Sequence, residues 1–458
     1  MKIIICGAGQ VGEQIARRLS DEGHTVTVID RDARLVRAVT DKIDVGGIVG
    51  HASHPDIQER AGAVDADMII AVTHLDEVNM VACQVAHTEF NVPQKIARIR
   101  AGSYLQTRWS DLFRRDHMPI DVIISPETEV ANVALSRLRR PSAFDMAHFL
   151  GDEVSVAGMV LDEDCAVVNT PLRQLTELFS TLEAFVLGIR RDGEIFAASS
   201  DEQLLVNDQV YVLSTKKDLD RTISIFGGDR PPARNIVVIG GGMVGLTVAQ
   251  SLEESVSDAR VRMIERNRDV AERAADTLES TVVLHGDGLS PELLEEAGVA
   301  SADAAIVLTD DDRVNLLASA LCKTAGAAQT IALTNDPVFS TLAGTIGVDT
   351  VINPRSATAS TILRHVRRGR VRAIHSIGEG EAEVIEAQVL STSSIAGKRL
   401  RDANFPKGAV VGAVLRRDKV ELPKGDTLIS EDDRVVIFAE AAAVAKVEAM
   451  FRVSVDFF

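Results

Sequence analysis

The feature that most restricts what this chain can fold into is that it is written twice. KIIICGAGQVG, starting at Lys2, returns as NIVVIGGGMVG at Asn235, and the matches continue downstream in the same order. TVTVIDRD from Thr25 answers RVRMIERN from Arg260, and ADMIIAVTHLDEVN from Ala66 answers ADAAIVLTDDDRVN from Ala302. IISPETEVA from Ile123 answers VINPRSATA from Val351. An ordered repeat of this extent is a duplicated structural unit.

Each copy alternates short β-branched runs with helical periodicity, the pattern of a parallel sheet covered on both faces. In the first copy the strand runs are residues 3–6, 26–30, 47–49, 68–72, 96–99 and 122–125, which suits a doubly wound nucleotide fold. A helix-like run follows each unit, at 127–139 and 358–368, and then a stretch of different character. These stretches pair as well: VNTPLRQL answers IAGKRLRD, and LVNDQVYVLS answers LISEDDRVVIFA. GGDRPPARN, residues 227–235, interrupts any regular element and marks the boundary between halves. The expected fold class is α/β, with two tandem Rossmann-type doubly wound sheets, each followed by a small α+β module. The expected division is 1–125, 126–227, 233–353 and 354–458.

At 458 residues, with 46% hydrophobic and 25% charged side chains, several well-packed domains are expected and long disorder is not. A net charge of -18 opposes non-specific binding to nucleic acid or an anionic membrane. The N-terminus passes straight into a strand and glycine loop, so no export signal is expected. Apolar stretches such as 68–72 and 304–308 are far shorter than the roughly 20 residues that span a bilayer. Cys6, Cys83, Cys165 and Cys322 are scattered without metal-ligand spacing and read as reduced thiols of a cytosolic protein.

The run Gly7-Ala8-Gly9-Gln10-Val11-Gly12 follows an apolar strand and opens a helix, and Asp30 ends the second strand 18 residues after Gly12. In a dinucleotide fingerprint the first glycine permits the tight turn, the second lets a pyrophosphate approach the backbone, and the third allows close strand-helix contact. Asp30 would accept from a ribose hydroxyl. The same pattern recurs as Gly240-Gly241-Gly242-Met243-Val244-Gly245 with Glu265. Acids here favour NAD-type ligands or adenine nucleotides over NADP, an inference tempered by Arg31 and Arg266 directly after them.

At the end of the third strand, His51 stands where the second copy has Asp287; either faces an adenosine or is an ordinary loop residue. Thr73, His74 and Asp76, like Thr309, Asp310 and Asp312, follow the fourth strand at the ligand-binding edge of an open sheet. Thr73 and Thr309 also read as helix caps. Arg98 and Arg100 fall on one face by the two-residue alternation of strands and would clamp phosphate, whereas the second copy has Leu333 and Asn335 there. Arg364, Arg367, Arg368, Arg370 and Arg372, matched by Arg137, Arg139 and Arg140, read as a solvated helix end or a partner-binding patch. No GxxxxGK[ST] loop, HExxH pair or nucleophile elbow occurs, and the small modules offer no His, Lys or Tyr constellation for acid-base chemistry. A regulator that senses a ligand is therefore expected, with an NAD-dependent oxidoreductase as the alternative.

The tandem GxGxxG units with their acids, the stretch from Ala71 to Asn79, and ARIR ending at Arg100 resemble the RCK (KTN) regulators of Trk-type potassium uptake. The resemblance covers essentially the whole chain. It implies a non-enzymatic, cytoplasmic subunit, peripheral at the inner face of the cell membrane. Such a subunit assembles as a homo-oligomeric ring, a tetramer, on an integral-membrane potassium-translocating subunit, and it responds to NAD(H) or ATP/ADP. By position, Gly7, Ala8, Gly9, Gln10, Val11, Asp30, Thr73, His74 and Arg98 would line the first nucleotide site. Gly240, Gly241, Gly242, Met243, Val244, Glu265, Asp287, Thr309 and Asp310 would line the second. His51 departs from the acid often found in that loop, and Leu333 and Asn335 leave the ligand of the second site open.

Overall fold

The computed structural model describes residues 1–179, 181–228, 230–256, 258–366, 371–378 and 380–451. In the first half, β1 (Lys2–Cys6), β2 (Thr25–Asp30), β3 (Gly46–Val49), β4 (Met68–Ala71), β5 (Gln94–Arg98) and β6 (Val122–Ile124) form a parallel sheet in the order 3-2-1-4-5-6. Its helices are α1 (Gln10–Asp21), α2 (Ala33–Thr40), α3 (Pro55–Arg60), α4 (Asp76–Thr88), the short α5 (Gly102–Leu105) and the crossover α6 (Pro126–Arg139). The central strands β1 and β4 are apolar at nearly every position because both faces are covered; Ile5, Ile69 and Ile70 are fully buried. Each such side chain contributes about 1.5–3 kcal/mol. The strand order reverses between β1 and β4, which opens a crevice at their carboxyl ends.

The first small module holds β7 (Ala143–Phe149), β8 (Val154–Val160), α7 (Leu172–Leu178), β9 (Ala184–Arg191), β10 (Glu194–Ala197), β11 (Gln209–Thr215) and α8 (Leu219–Gly227), its sheet antiparallel in the order 10-9-11-8-7. The second half repeats the plan. Parallel strands β12 (Asn235–Ile239), β13 (Arg260–Glu265), β14 (Val282–His285), β15 (Ala304–Val307), β16 (Gln329–Leu333) and β17 (Thr350–Ile352) take the order 14-13-12-15-16-17. They alternate with α9 (Met243–Ser255), α10 (Arg268–Thr277), α11 (Pro291–Glu296), α12 (Asp312–Ala325), α13 (Pro337–Ala343) and the crossover α14 (Pro354–Val366). The second module has β18 (Val371–Ile377), β19 (Ala382–Gln388), β20 (Ala409–Arg416), β21 (Lys419–Glu421), β22 (Arg434–Glu440) and α15 (Ala441–Met450). The expected class, tandem doubly wound sheets with small α+β modules, is what the chain adopts.

The chain divides into two compact units, residues 1–135 with 233–365, and 136–232 with 366–458. In the first unit both parallel sheets lie together, and the crossover helices meet where Thr361 donates to Glu129 Oε2 at 2.6 Å. In the second, one apolar cluster draws Val156, Leu187 and Leu213 from one module and Val384, Val436 and Phe438 from the other. A Cβ at Gly188 would lie 2.5 Å from the Phe438 ring, so that strand has to carry glycine to let the sheets approach. Of the arginines expected to form a solvated helix end, Arg139 is exposed at the last position of α6, while Arg137 and Arg140 do otherwise. Arg137 is half-buried and donates to the Ala143 carbonyl at 3.1 Å, and Arg140 pairs with Asp220 at 3.1 Å, because β7 turns back over the end of α6. Arg367, Arg368 and Arg370 lie outside the described residues. Among the described residues no helix is long and apolar enough to cross a membrane.

One carboxylate braces the second parallel sheet. Glu253 near the end of α9 accepts from the backbone N–H groups of Glu279, Ser280 and Thr281 at 3.0, 2.8 and 2.7 Å. Burial alone would raise its pKa, but these donors and the Thr281 hydroxyl outweigh burial and hold it down at about 2. A carboxyl whose folded pKa is depressed contributes stability above its unfolded value, and the contribution fades as pH falls through the folded value. Glu253→Gln is therefore expected to cost about 1 kcal/mol at neutral pH, discounted for partial exposure. Melting curves should show the gap from wild type closing as pH falls from about 4 to about 2.

Candidate functional site

The first glycine loop has a separate physical reason for each glycine. Gly7 has a φ of +114°, and an added Cβ would lie 3.1 Å from the Val72 carbonyl group and the Thr73 nitrogen. Gly12 faces the turn itself, where a Cβ would fall 1.8 Å from the Gly7 oxygen. Gly9 is the N-cap of α1, with no side-chain cap, and a Cβ there would meet nothing within 4 Å. The uncapped first turn of α1 opens onto a cavity of about 400 Å³. This is the arrangement that receives phosphate, with free N–H groups and the positive helix end facing one space.

Around that cavity stand Gly7, Gly9, Gln10, Val11, Gly12, Asp30, Arg31, His51, Thr73, His74 and Arg98, which the fold brings together from the ends of β1 to β5. Ala8 is buried and acts through its backbone, donating to Asp30 Oδ2 at 2.8 Å. Asp30 also accepts from the Asp32 nitrogen through Oδ1 at 2.9 Å. The carboxylate thus braces the glycine loop and keeps a lone pair on each oxygen for a ribose hydroxyl. His51 Nδ1 shares a hydrogen bond with the Ser53 hydroxyl at 2.8 Å, and its ring stacks on His54.

Two expectations are corrected. Thr73 is not a helix cap: Leu75 occupies the N-cap of α4 without a side-chain bond, and the Thr73 hydroxyl is taken by Asn79 at 2.7 Å. Arg100 does not join Arg98 at the cavity. β5 ends at Arg98, the alternation stops there, and Arg100 turns to Glu127 at 2.9 Å. Arg98 remains. Its Nη2 donates to the Thr73 carbonyl at 2.6 Å, while its Nε is buried without a partner. Burial, and then the charge of Arg100, push its pKa down, so this cation gains from an anion placed beside it.

The second loop repeats the geometry. Gly240 has a φ of +107°, a Cβ at Gly245 would lie 1.9 Å from the Gly240 oxygen, and Gly242, the N-cap of α9, faces open space. Glu265 takes the Gly241 and Asn267 nitrogens, both at 2.6 Å. Met243 is exposed and Val244 half-buried beside it, and Arg266 points outward at the end of β13. Asp287 accepts from the Leu289 nitrogen at 3.0 Å. Thr309 is held by Asn315 as Thr73 is by Asn79, with its hydroxyl 2.6 Å from Asn315 Oδ1; Asp310 beside it is exposed. Here too the threonine is not the cap, which is Asp311, bonded to the Arg313 and Val314 nitrogens.

Comparison with known proteins follows the same division. The family model for the TrkA-N domain matches residues 3–126 and 236–354, and that for the TrkA-C domain matches 156–227 and 384–452. The Trk system potassium uptake protein TrkA of Azorhizobium caulinodans is 49% identical over 458 residues, covering 100% of both chains. The chain belongs to the TrkA family. Proteins of the same name from Halomonas elongata and Vibrio alginolyticus are 35% and 36% identical, covering 100% and 99% of this chain and of their own. In fold it is similar to the crystal structure of the GsuK RCK domain, with a TM-score of 0.62 at 17% identity, covering 98% of this chain and 94% of that one. The GsuK channel bound to NAD gives the same TM-score at 16% identity, covering 98% and 78%.

For this TrkA-family chain, reading residues one half at a time missed two groups. Asn79 and Asn315 sit fully buried behind the loops, and their recurrence at matched positions was the available signal. Arg355, at the start of α14, lines the cavity of the first half. Nothing in the local sequence marks it, since the fold alone carries it there.

Proposed function

We propose that the chain is a cytoplasmic, nucleotide-responsive regulatory subunit of a potassium-translocating membrane protein, acting without chemical turnover of its ligand. The carrying observation is the cavity of about 400 Å³ at the strand-order switch, where an uncapped helix terminus, a carboxylate with spare lone pairs and an arginine with an unpartnered buried nitrogen converge. NAD(H) and ATP/ADP fit this set: the glycine loop and Arg98 hold phosphates, Asp30 holds ribose, and His51 lies by the adenosine. Gly7, Ala8, Gly9, Gln10, Val11, Gly12, Arg31, Thr73 and His74 complete the first site. Gly240, Gly241, Gly242, Met243, Val244, Gly245, Glu265, Arg266, Asp287, Thr309 and Asp310 form the second. The functional parts are 1–125, 126–227, 233–353 and 354–458, nucleotide units each followed by a module.

A ring of like chains, a tetramer at the inner membrane face, is the assembly we assign. Exposed apolar side chains support it: Val81 and Trp109 in the first half, and Leu317, Leu321, Val338 and Leu342 in the second, are surface that a monomer would leave in water. Gating follows from differential affinity, since a nucleotide that prefers one conformation of the ring shifts the population toward it. The test is potassium flux through the membrane partner in vesicles, with the chain present and nucleotide added or withheld. Flux is expected to change at least about fivefold with the nucleotide recovered intact. Equal flux in both conditions, or stoichiometric conversion of the nucleotide, would refute the proposal.

A further inference from the structure

Arg355 belongs to the second half of the chain, yet it lines the cavity built by the first. Its guanidinium is half-buried and makes one hydrogen bond, from Nη1 to the Asn335 carbonyl at 2.9 Å. Among the described residues no carboxylate pairs with it. That is unusual company for a cation in a chain of net charge -18. Arg98, across the same cavity, also lacks a carboxylate partner and keeps a buried Nε unbonded. Two guanidinium groups that face one space, neither of them ion-paired among the described residues, keep N–H donors and charge available to a ligand bearing negative charge.

The helix ends agree with the arginines. α1 and α4 both present first turns without side-chain caps at this cavity, at Gly9 and Leu75. In the second half the cap of α12 is the carboxylate of Asp311, and Leu333 stands where Arg98 stands in the first. Arg355 is also held in place. The Asn335 that anchors it is fixed by Asp312, which accepts its nitrogen at 2.9 Å and its side-chain amide at 3.1 Å. A guanidinium tethered at one nitrogen keeps four further N–H donors for a ligand, in the planar fork that suits phosphate.

On the reading that this cavity takes a nucleotide, we infer that Arg355 is a phosphate ligand which the second half lends to the first site, so that this site is complete only when both halves are together. The loan runs one way. The matched residue of the first half is Glu127, a buried carboxylate already committed to Arg100 at 2.9 Å. It follows that the first site prefers polyphosphate nucleotides more strongly than the second, although their glycine loops are alike.

The test is calorimetric titration of the full chain with ADP and, separately, adenosine, comparing wild type, Arg355→Gln and Arg355→Lys. All three chains carry Gly242→Ala, so that the first site is read alone. Arg355→Gln is expected to weaken ADP roughly tenfold or more while leaving adenosine unchanged, and Arg355→Lys should fall between. ADP binding unchanged in Arg355→Gln, or ADP and adenosine weakened equally, overturns the assignment, the latter by showing a purely structural role. If the chain with Arg355 intact binds neither compound, the nucleotide reading itself falls and takes the assignment with it.

Discussion

Gly12→Ala is expected to lower the melting temperature by at least about 6 °C and to abolish nucleotide binding at the first site. The added methyl carbon would lie 1.8 Å from the Gly7 carbonyl oxygen, a backbone atom that no rotamer change can move. Relief requires α1 to lift from β1 or the turn to reopen. Either change breaks the bond from the Gly7 nitrogen to the Ile29 carbonyl, now 2.8 Å, and the buried contacts of Val11 and Ile15. Overpacking against rigid backbone costs more than about 3 kcal/mol. Gly245→Ala, 1.9 Å from the Gly240 oxygen, should behave the same way for the second loop. Thermal melts of both variants decide it; a shift under about 2 °C would show that these loops tolerate a side chain.

The second large effect falls on Asn79, which touches no ligand. Its Oδ1 accepts from the Thr73 nitrogen at 2.8 Å and the Thr73 hydroxyl at 2.7 Å, and its Nδ2 donates to the Thr73 and Arg98 carbonyls at 3.1 and 2.9 Å. One fully buried amide thus ties the loop after β4 to the end of β5, the two segments that carry Thr73, His74 and Arg98 to the cavity. Asn79→Ala removes the partner of the Thr73 nitrogen and of the Arg98 carbonyl and one of two bonds each from the Thr73 hydroxyl and carbonyl, which keep Leu75 and Arg98, at a cost of about 3 kcal/mol. Asn79→Asp should be no milder, because a carboxylate in place of Nδ2 would face two carbonyl oxygens. In denaturant titrations either variant is expected to lose this stability. At temperatures where it stays folded, nucleotide affinity at the first site should drop about tenfold or more, since Arg98 and Thr73 lose their anchor.

The sequence carried the duplication, the doubly wound fold, the glycine geometry and the acids at the end of the second strand in each half, because these rest on short-range steric rules. Gly12 is required by a contact within the turn and Gly7 by its φ of +114°, local conditions that a spacing of residues reports directly. What escaped depends on the third dimension. Thr73 has the side chain of a helix cap, and only the position of Asn79 across the loop shows where its hydroxyl goes. Arg98 and Arg100 look equivalent by alternation until the strand ends at Arg98 and Glu127 draws Arg100 away. The sequence points to Asp30 as a proposed ribose partner but not as the acceptor that holds the Ala8 nitrogen. This second role makes Asp30→Ala an ambiguous probe, since it would loosen the loop as well as remove a ligand contact. Arg355 was beyond reach of local reading because its neighbours in the cavity come from the other half of the chain.

The central claim, two nucleotide sites used for sensing, is tested most directly at the glycines that only a ligand should notice. Gly9 and Gly242 have φ values of -70° and -65°, which alanine adopts, and an added Cβ at either meets nothing within 4 Å. Gly9→Ala and Gly242→Ala should therefore cost no more than about 1 kcal/mol of stability. Each nonetheless puts a methyl group where a phosphate has to approach the backbone. The measurement is calorimetric titration of NAD, NADH, ATP and ADP into wild type and both variants. Binding to wild type, with each variant losing a different component and melting within a few degrees of wild type, is the predicted result. Variants that bind as wild type does, or a wild type that binds none of these nucleotides at millimolar concentration, would contradict it.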